Sequence, residues 1–225
     1  MSAVQIPRLV LFDLDNTLIC GDSDYAWAEY LIDLGVLERD HYRARNAEFY
    51  RAYREGRLDI QAFLKFQLAP LARHGRAQLE DWRNRFVRDR ILPLIPPAAR
   101  DLVRTHSSYL CAIITATNDF VTTPIAEEFG VANLIATQAE QMDGAFTGGV
   151  EGVPCFGEGK VTRLEQWLAQ HRLAWENLGE TWFFSDSFND LPLLMRVSHP
   201  VAVDPDATLH SHAQQHGWPI ISLCT

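Results

Sequence analysis

The chain has 225 residues, of which 47% are hydrophobic and 22% charged, and its formal net charge is −9. This composition excludes a disordered chain and suits one large domain, or one domain carrying a smaller insert. The longest apolar runs, such as residues 9–12 and 110–114, are too short to span a bilayer, and residues 1–11 lack the pattern of a secretory signal. A cytoplasmic protein with no membrane partner is expected.

The charge is uneven. Residues 21–95 hold 13 Lys/Arg and 12 Asp/Glu, whereas residues 111–225 hold 4 and 14. An acidic half repels phosphate backbones, so nucleic acid is not an expected partner. Cys20, Cys111, Cys155 and Cys224 show no metal or ladder spacing. They are expected as free thiols. Lysine occurs only at positions 65 and 160, which singles out Lys160 in an acidic stretch.

In chain order, residues 8–12 form an apolar run that predicts a buried strand, ending in Asp13-Leu14-Asp15-Asn16-Thr17. From about 22 to 90 the periodicity is helical, with Gly35, Gly56 and Gly75 as expected helix ends. The aromatics Trp27, Tyr30, Phe49, Tyr53, Phe63 and Phe66 are expected to pack inside this block. Pro93, Pro96 and Pro97 end it, and a helix runs on to about residue 106. A second strand is predicted over 109–114. Next comes a helix capped by Asn118 or Asp119 and stopped at Gly130. A short third strand follows over 133–136, then a hairpin over 137–150 turning at Asp143-Gly144. An amphipathic helix spans 158–171, a fourth strand 181–184, a short helix 191–195 and a fifth strand 200–203. Apolar strands alternating with helices predict a parallel sheet covered on both faces. The expected organisation is an α/β, Rossmann-like core (1–19 and 96–225) with a helical cap domain (20–95) inserted after the first strand.

Ligands of such sheets bind beyond the carboxyl ends of the strands. Those ends carry Asp13, Asp15 and Thr17, then Thr115 and Ala116, then Asp186 with Asn189 and Asp190, while Lys160 opens a helix between. Crowding carboxylates in one crevice is costly through like-charge repulsion, and a divalent cation with a bound phosphate would offset that cost.

The ordered set resembles the four motifs of the haloacid dehalogenase-like (HAD) phosphatases. Phe12-Asp13-Leu14-Asp15-Asn16-Thr17-Leu18 is similar to the first, Ile114-Thr115 to the second, Lys160 to the third, and Ser185-Asp186-Ser187-Phe188-Asn189-Asp190 to the fourth. Ser185 departs from the pattern, since many relatives carry Gly there. The helical insert and the 137–152 hairpin resemble subfamily IB, the phosphoserine phosphatase-like branch, and within it the histidinol-phosphatases. The resemblance implies a phosphomonoesterase. Asp13 would attack phosphorus and form an aspartyl-phosphate, and Asp15 would protonate the leaving alkoxide and then activate water. Mg²⁺ would be held by Asp13, the Asp15 backbone carbonyl and Asp186, with Asp190 in its outer shell. Thr115, Ala116, Lys160, Thr17 and Asn189 would hold the phosphoryl oxygens.

The cap entrance bears Asp22 and Asp24, one of which is expected to receive a substrate amine, unless the position serves only as a helix N-cap at Asp22 or Ser23. Arg43, Arg45, Arg51, Arg54 and Arg57 offer partners for a substrate carboxylate. Histidinol phosphate and phosphoserine, both small phosphorylated metabolites, are the expected candidates, with the acidic entrance favouring the first. A receiver-type signalling protein uses similar Asp, Thr, Lys and Mg²⁺ chemistry, but it is shorter and lacks the insert. A non-catalytic phosphate-binding relative would have lost Asp13 or Asp15. A dehalogenase would not need Asp15. His210, His212 and His216 are read as a solvated terminal helix, and monomer and dimer are both open.

Overall fold

The computed structural model describes residues 6–224. Its first strand explains the layout. In β1 (Leu9–Phe12) all four side chains are buried. Leu9 and Leu11 enter one hydrophobic cluster, and Val10 and Phe12 enter another. A strand buried on both faces must sit mid-sheet between two helical layers. β1 pairs in parallel with β2 (Leu110–Asn118) on one side and β5 (Thr181–Ser185) on the other. The remaining strands are β3 (Asn133–Met142), β4 (Ala145–Glu151), β6 (His199–Val203) and β7 (Ile220–Ile221). The sheet order is β4-β3-β2-β1-β5-β6-β7, with only the β3–β4 pair antiparallel. The chain therefore proceeds outward from β1 in both directions, which opens a crevice at the carboxyl end of β1. The expected α/β class with a mostly parallel, Rossmann-like sheet is borne out.

Between β1 and β2 lie α1 (Ser23–Asp33), α2 (Arg39–Arg54), α3 (Ile60–Leu68), α4 (Arg76–Phe86) and α5 (Pro97–Thr105). Their starts are set by acidic side chains that accept from free backbone N–H groups: Asp22, Glu38 and Asp59 cap α1, α2 and α3. Gly35 and Gly56 follow α1 and α2 with positive φ, as helix-ending glycines do. Gly75 differs from expectation: with a φ of −67° it begins α4 rather than ending a helix. Trp27, Leu31, Leu64, Leu79 and Phe86 from these helices share one cluster with Val10, Phe12 and Phe184 of the sheet. After β2 come α6 (Asp119–Glu128), α7 (Glu158–Gln170), the short α8 (Leu191–Leu194) and α9 (Ala207–His216). The opposite face of the sheet is covered by α7, α8 and α9 through Leu164, Leu168, Leu193 and Leu209.

Three expectations need correction. The third strand and the hairpin are one element, because β3 pairs with β2 up to Thr137 and passes to β4 from Gln138. β7 was not foreseen, since Ile220-Ile221 is too short to carry a period. The expectation of four free thiols also fails. Cys20 and Cys224 form a disulfide with Cα atoms 5.5 Å apart, while Cys111 and Cys155 are free. The pair is 204 residues apart in sequence, so no local spacing could reveal it. Among the described residues no helix is long and apolar enough to cross a membrane.

Candidate active site

The backbone of Asp13 continues β1, donating its N–H to Phe184 O at 2.9 Å. The chain then turns sharply at Asn16, whose φ is +57°. This turn carries Asp15 back over the crevice and sends Thr17 inward. Thr17 is fully buried, and its hydroxyl lies 3.3 Å from both Asp13 Oδ2 and Asp186 Oδ1 while accepting the Asp186 N–H at 3.0 Å. Thr17 thus ties the end of β1 to the end of β5, and it is not among the residues lining the cavity.

Lys160 is 3% exposed, and its Nζ donates to Asp13 Oδ1 at 2.8 Å and to Asp190 Oδ2 at 2.7 Å. Two glycines place it. Gly157 precedes α7 with a φ of +54°. At Gly159 a Cβ would lie 2.0 Å from the carbonyl oxygen of Pro154, so only glycine lets the first turn of α7 approach this closely. Ser185 holds the other end, its hydroxyl donating to Asp190 Oδ2 at 2.7 Å and accepting from Ser187 N. The residue that departs from the family pattern is therefore built into the network.

β2 supplies the third wall. Ala136 and Thr137 are consecutive in β3, yet their partners Thr115 and Asn118 are three apart in β2. Such a bulge turns Ala116 and Thr117 out of the ladder and toward the crevice. Thr117 donates to Asp15 Oδ2 at 2.8 Å and Thr115 to the same oxygen at 3.4 Å, while Asp15 Oδ1 accepts the Ser23 N–H at 2.7 Å. The second strand is longer than expected because this bulged segment belongs to it.

The electrostatics follow from burial. Desolvation pushes the Asp13 carboxyl from 3.8 up to about 7, against the pull of the Lys160 ammonium. Desolvation and the Asp22 charge raise Asp15 to about 6. Burial also lifts Asp186 and Asp24 well above the usual carboxylate range, and Asp22 less far. Burial works against the Lys160 ammonium too, but Asp13 and Asp190 outweigh it and hold the lysine charged. A single buried ammonium thus faces an excess of carboxylates. No group of three or more His, Cys, Asp or Glu side chains arranged to hold a metal ion occurs among the described residues. The paired Asp13 and Asp186 carboxylates offer hard oxygen donors with an unbalanced negative charge. That set fits a cation that keeps most of its shell as water and phosphate oxygens.

Above this floor lies a cavity between the strand ends and the inserted helices. Asp13, Asp15, Thr115, Ala116, Lys160 and Asn189 line it, as do Asp22 and Asp24. Asp22 also caps α1 through the Tyr25 N–H at 2.8 Å, as the N-cap reading expected. Asn189 lines the wall with its amide engaged by Tyr53 O at 3.3 Å and Ser187 Oγ at 3.2 Å. The Tyr53 hydroxyl donates to Ser187 Oγ at 2.8 Å, which fastens α2 to the strand ends. Tyr53, Phe49 and Phe63 line the cavity instead of packing only inside the helical block. The helical period alone could not say which face of α2 turns to the crevice. None of the five arginines lines the cavity. Arg43, Arg45 and Arg57 pair with Glu29, Glu48 and Glu55, and Arg54 lines a neighbouring cleft. His212 and His216 stack on one another at 4.0 Å, on α9.

A parallel sheet whose strand ends gather carboxylates around a buried lysine is the frame of an α/β enzyme with its site at the switch point. The family described as haloacid dehalogenase-like hydrolase matches residues 10–195, and the chain belongs to that family. It is 48% identical over 219 residues to a protein of Neisseria meningitidis serogroup C (strain 8013) named histidinol-phosphatase, covering 96% of this chain and 99% of that one. It is also similar to a crystal structure of a protein of unknown function from Bordetella pertussis Tohama I. There the TM-score is 0.92 at 45% identity, covering 97% of this chain and 100% of that chain. A structure titled a phospho-aspartyl intermediate analogue of phosphoserine phosphatase shares the fold, with a TM-score of 0.68 at 20% identity, covering 97% of this chain and 94% of that chain.

Proposed function

We propose that this HAD-family phosphatase hydrolyses the monoester of a small amino alcohol, histidinol phosphate, through an aspartyl-phosphate on Asp13. The reaction rests on the arrangement of the strand ends. Asp13 presents a carboxylate held between Lys160 and Thr17. Attack of its oxygen on phosphorus breaks the ester bond and splits hydrolysis into two easier steps. Asp15, raised to about 6 and oriented by Ser23 and Thr117, gives its proton to the leaving alkoxide and then takes one from the water that releases phosphate. Lys160, Thr115 and the backbone at Ala116 neutralise and position the phosphoryl oxygens. Asp13, the Asp15 carbonyl and Asp186 would hold Mg²⁺, with Asp190 orienting its water. Bound there, the ion supplies charge neutralisation at the transferring phosphoryl group.

One observation carries the substrate. Among the described residues Lys160 is the sole Lys or Arg lining the cavity, and it belongs to the phosphate end. Phosphoserine would bring a carboxylate with no cation to receive it. Histidinol phosphate brings an ammonium, for which Asp22 and Asp24 are available, and a ring for the aromatic wall. The Neisseria relative's name agrees with this reading. Turnover of histidinol phosphate, phosphoserine and phosphoethanolamine, each with Mg²⁺ and with EDTA, tests it. The expected order places histidinol phosphate first by kcat/KM, with EDTA abolishing turnover. A preference for phosphoserine, or full activity in EDTA, would overturn the reading.

A further inference from the structure

The helical wall of the cavity contains one amide whose nitrogen has no hydrogen-bond partner. Asn46 on α2 is 3% exposed and Gln67 on α3 is 5% exposed, and both line the cavity. Gln67 Nε2 donates to Asn46 Oδ1 at 3.4 Å, which occupies the acceptor of that amide. Asn46 Nδ2 is buried and has no hydrogen-bond partner. A buried donor without an acceptor is costly, and of the unpaired buried atoms in this chain Asn46 Nδ2 belongs to a side chain on the cavity wall. The setting says what kind of acceptor suits it. Asn46, Phe49, Tyr50 and Tyr53 recur at helical spacing on one face of α2, and Ile60, Phe63 and Gln67 do so on α3, all on the cavity wall. An amide set among aromatic planes suits a flat, uncharged ring bearing one acceptor atom.

Resting on the function proposed above, we infer that Asn46 is a specificity-determining residue. Its Nδ2–H donates to the unprotonated nitrogen of a neutral nitrogen heterocycle on the substrate, with Gln67 as the positioning residue that fixes the amide's orientation. Phosphate, ammonium and ring are thus read at three separate places: the Lys160 floor, the Asp22 and Asp24 entrance, and the Asn46 wall.

The test compares kcat/KM for histidinol phosphate with that for phosphoethanolamine, which has the phosphate and the amine but no ring. Asn46→Leu, which keeps the branching at Cγ and removes the amide, is expected to lower this ratio by about 10–100-fold, chiefly through KM. Asn46→Asp keeps the shape and removes the donor, and is expected to lower the ratio as well; it carries the test if the leucine variant fails to fold. An unchanged ratio in both variants overturns the inference and leaves the phosphatase reading standing. A raised ratio in Asn46→Asp overturns it by showing that the ring binds as a donor. A wild-type protein that ignores histidinol phosphate removes the proposed function, and this inference with it.

Discussion

The strand-end floor and the helical wall of the same cavity are built in opposite ways. On the floor three carboxylates are each held by two partners: Asp13 by Lys160 and Thr17, Asp190 by Lys160 and Ser185, Asp15 by Ser23 and Thr117. On the wall the side chains are mostly aromatic, and a buried amide nitrogen stands unpaired. The contrast separates two tasks. Chemistry on phosphorus needs charges fixed before the substrate arrives, so the floor is preorganised at the ends of rigid strands. Choice of substrate needs shape and a few polar groups completed only by the ligand, and helices α2 and α3 supply these.

The comparison breaks first at Asp13. Asp13→Asn is expected to reduce kcat by more than about 10⁴-fold, because it removes the nucleophile itself. Asp15→Asn sharpens the assignment of roles. Loss of about 10²–10⁴-fold is expected for alkyl esters, but a far smaller loss for p-nitrophenyl phosphate, whose nitrophenolate leaves without a proton. Equal losses on both substrates would deny Asp15 the part of general acid.

Gly159→Ala probes whether the floor depends on backbone fit. Its Cβ would meet Pro154 O at 2.0 Å, so the first turn of α7 must shift and carry Lys160 with it. A loss of about 1–3 kcal/mol in stability and at least tenfold in kcat/KM is expected, from urea unfolding and steady-state rates. Wild-type behaviour would show that Lys160 can be placed without this close approach.

The smallest expected effect is on thermal stability. Burial raises Asp13 from 3.8 to about 7 and Asp15 to about 6, so between those values the folded chain without metal binds more protons than the unfolded one. Its stability therefore falls as pH rises from about 4 to about 7, and a cation that binds the ionised carboxylates reverses the loss. Mg²⁺ is expected to raise Tm more at about pH 8 than at about pH 5. Equal shifts at both would contradict the carboxylate cluster as its site.

The same contrast explains what the sequence made legible. Asp13, Asp15, Thr115 and Asp186 stand at the ends of apolar strands, so local pattern set them at one edge of a sheet, and the resemblance to the HAD motifs added Lys160 at a helix start. Lys160 stood out further because lysine is scarce. Asn46 and Gln67 gave no such signal, since an amide in a helix is ordinary until tertiary packing turns its face to a cavity. Ser185 looked like a departure to be tolerated, and only its contact with Asp190 shows what its hydroxyl does. Gly159 gave no signal inside the helix expected over 158–171, because the carbonyl it avoids comes from Pro154, across a turn. The Cys20–Cys224 bond lay hidden for the same reason: its two cysteines stand 204 residues apart in sequence.

The most direct measurement is to mix the enzyme with histidinol phosphate and Mg²⁺, quench in acid within the first turnover, and locate any bound phosphate by peptide mass spectrometry. The expected result is phosphate on the peptide carrying Asp13, at the Asp13 side chain, and none in Asp13→Asn. Hydrolysis with no phosphoenzyme at any time point, or phosphate on another residue, would contradict the account.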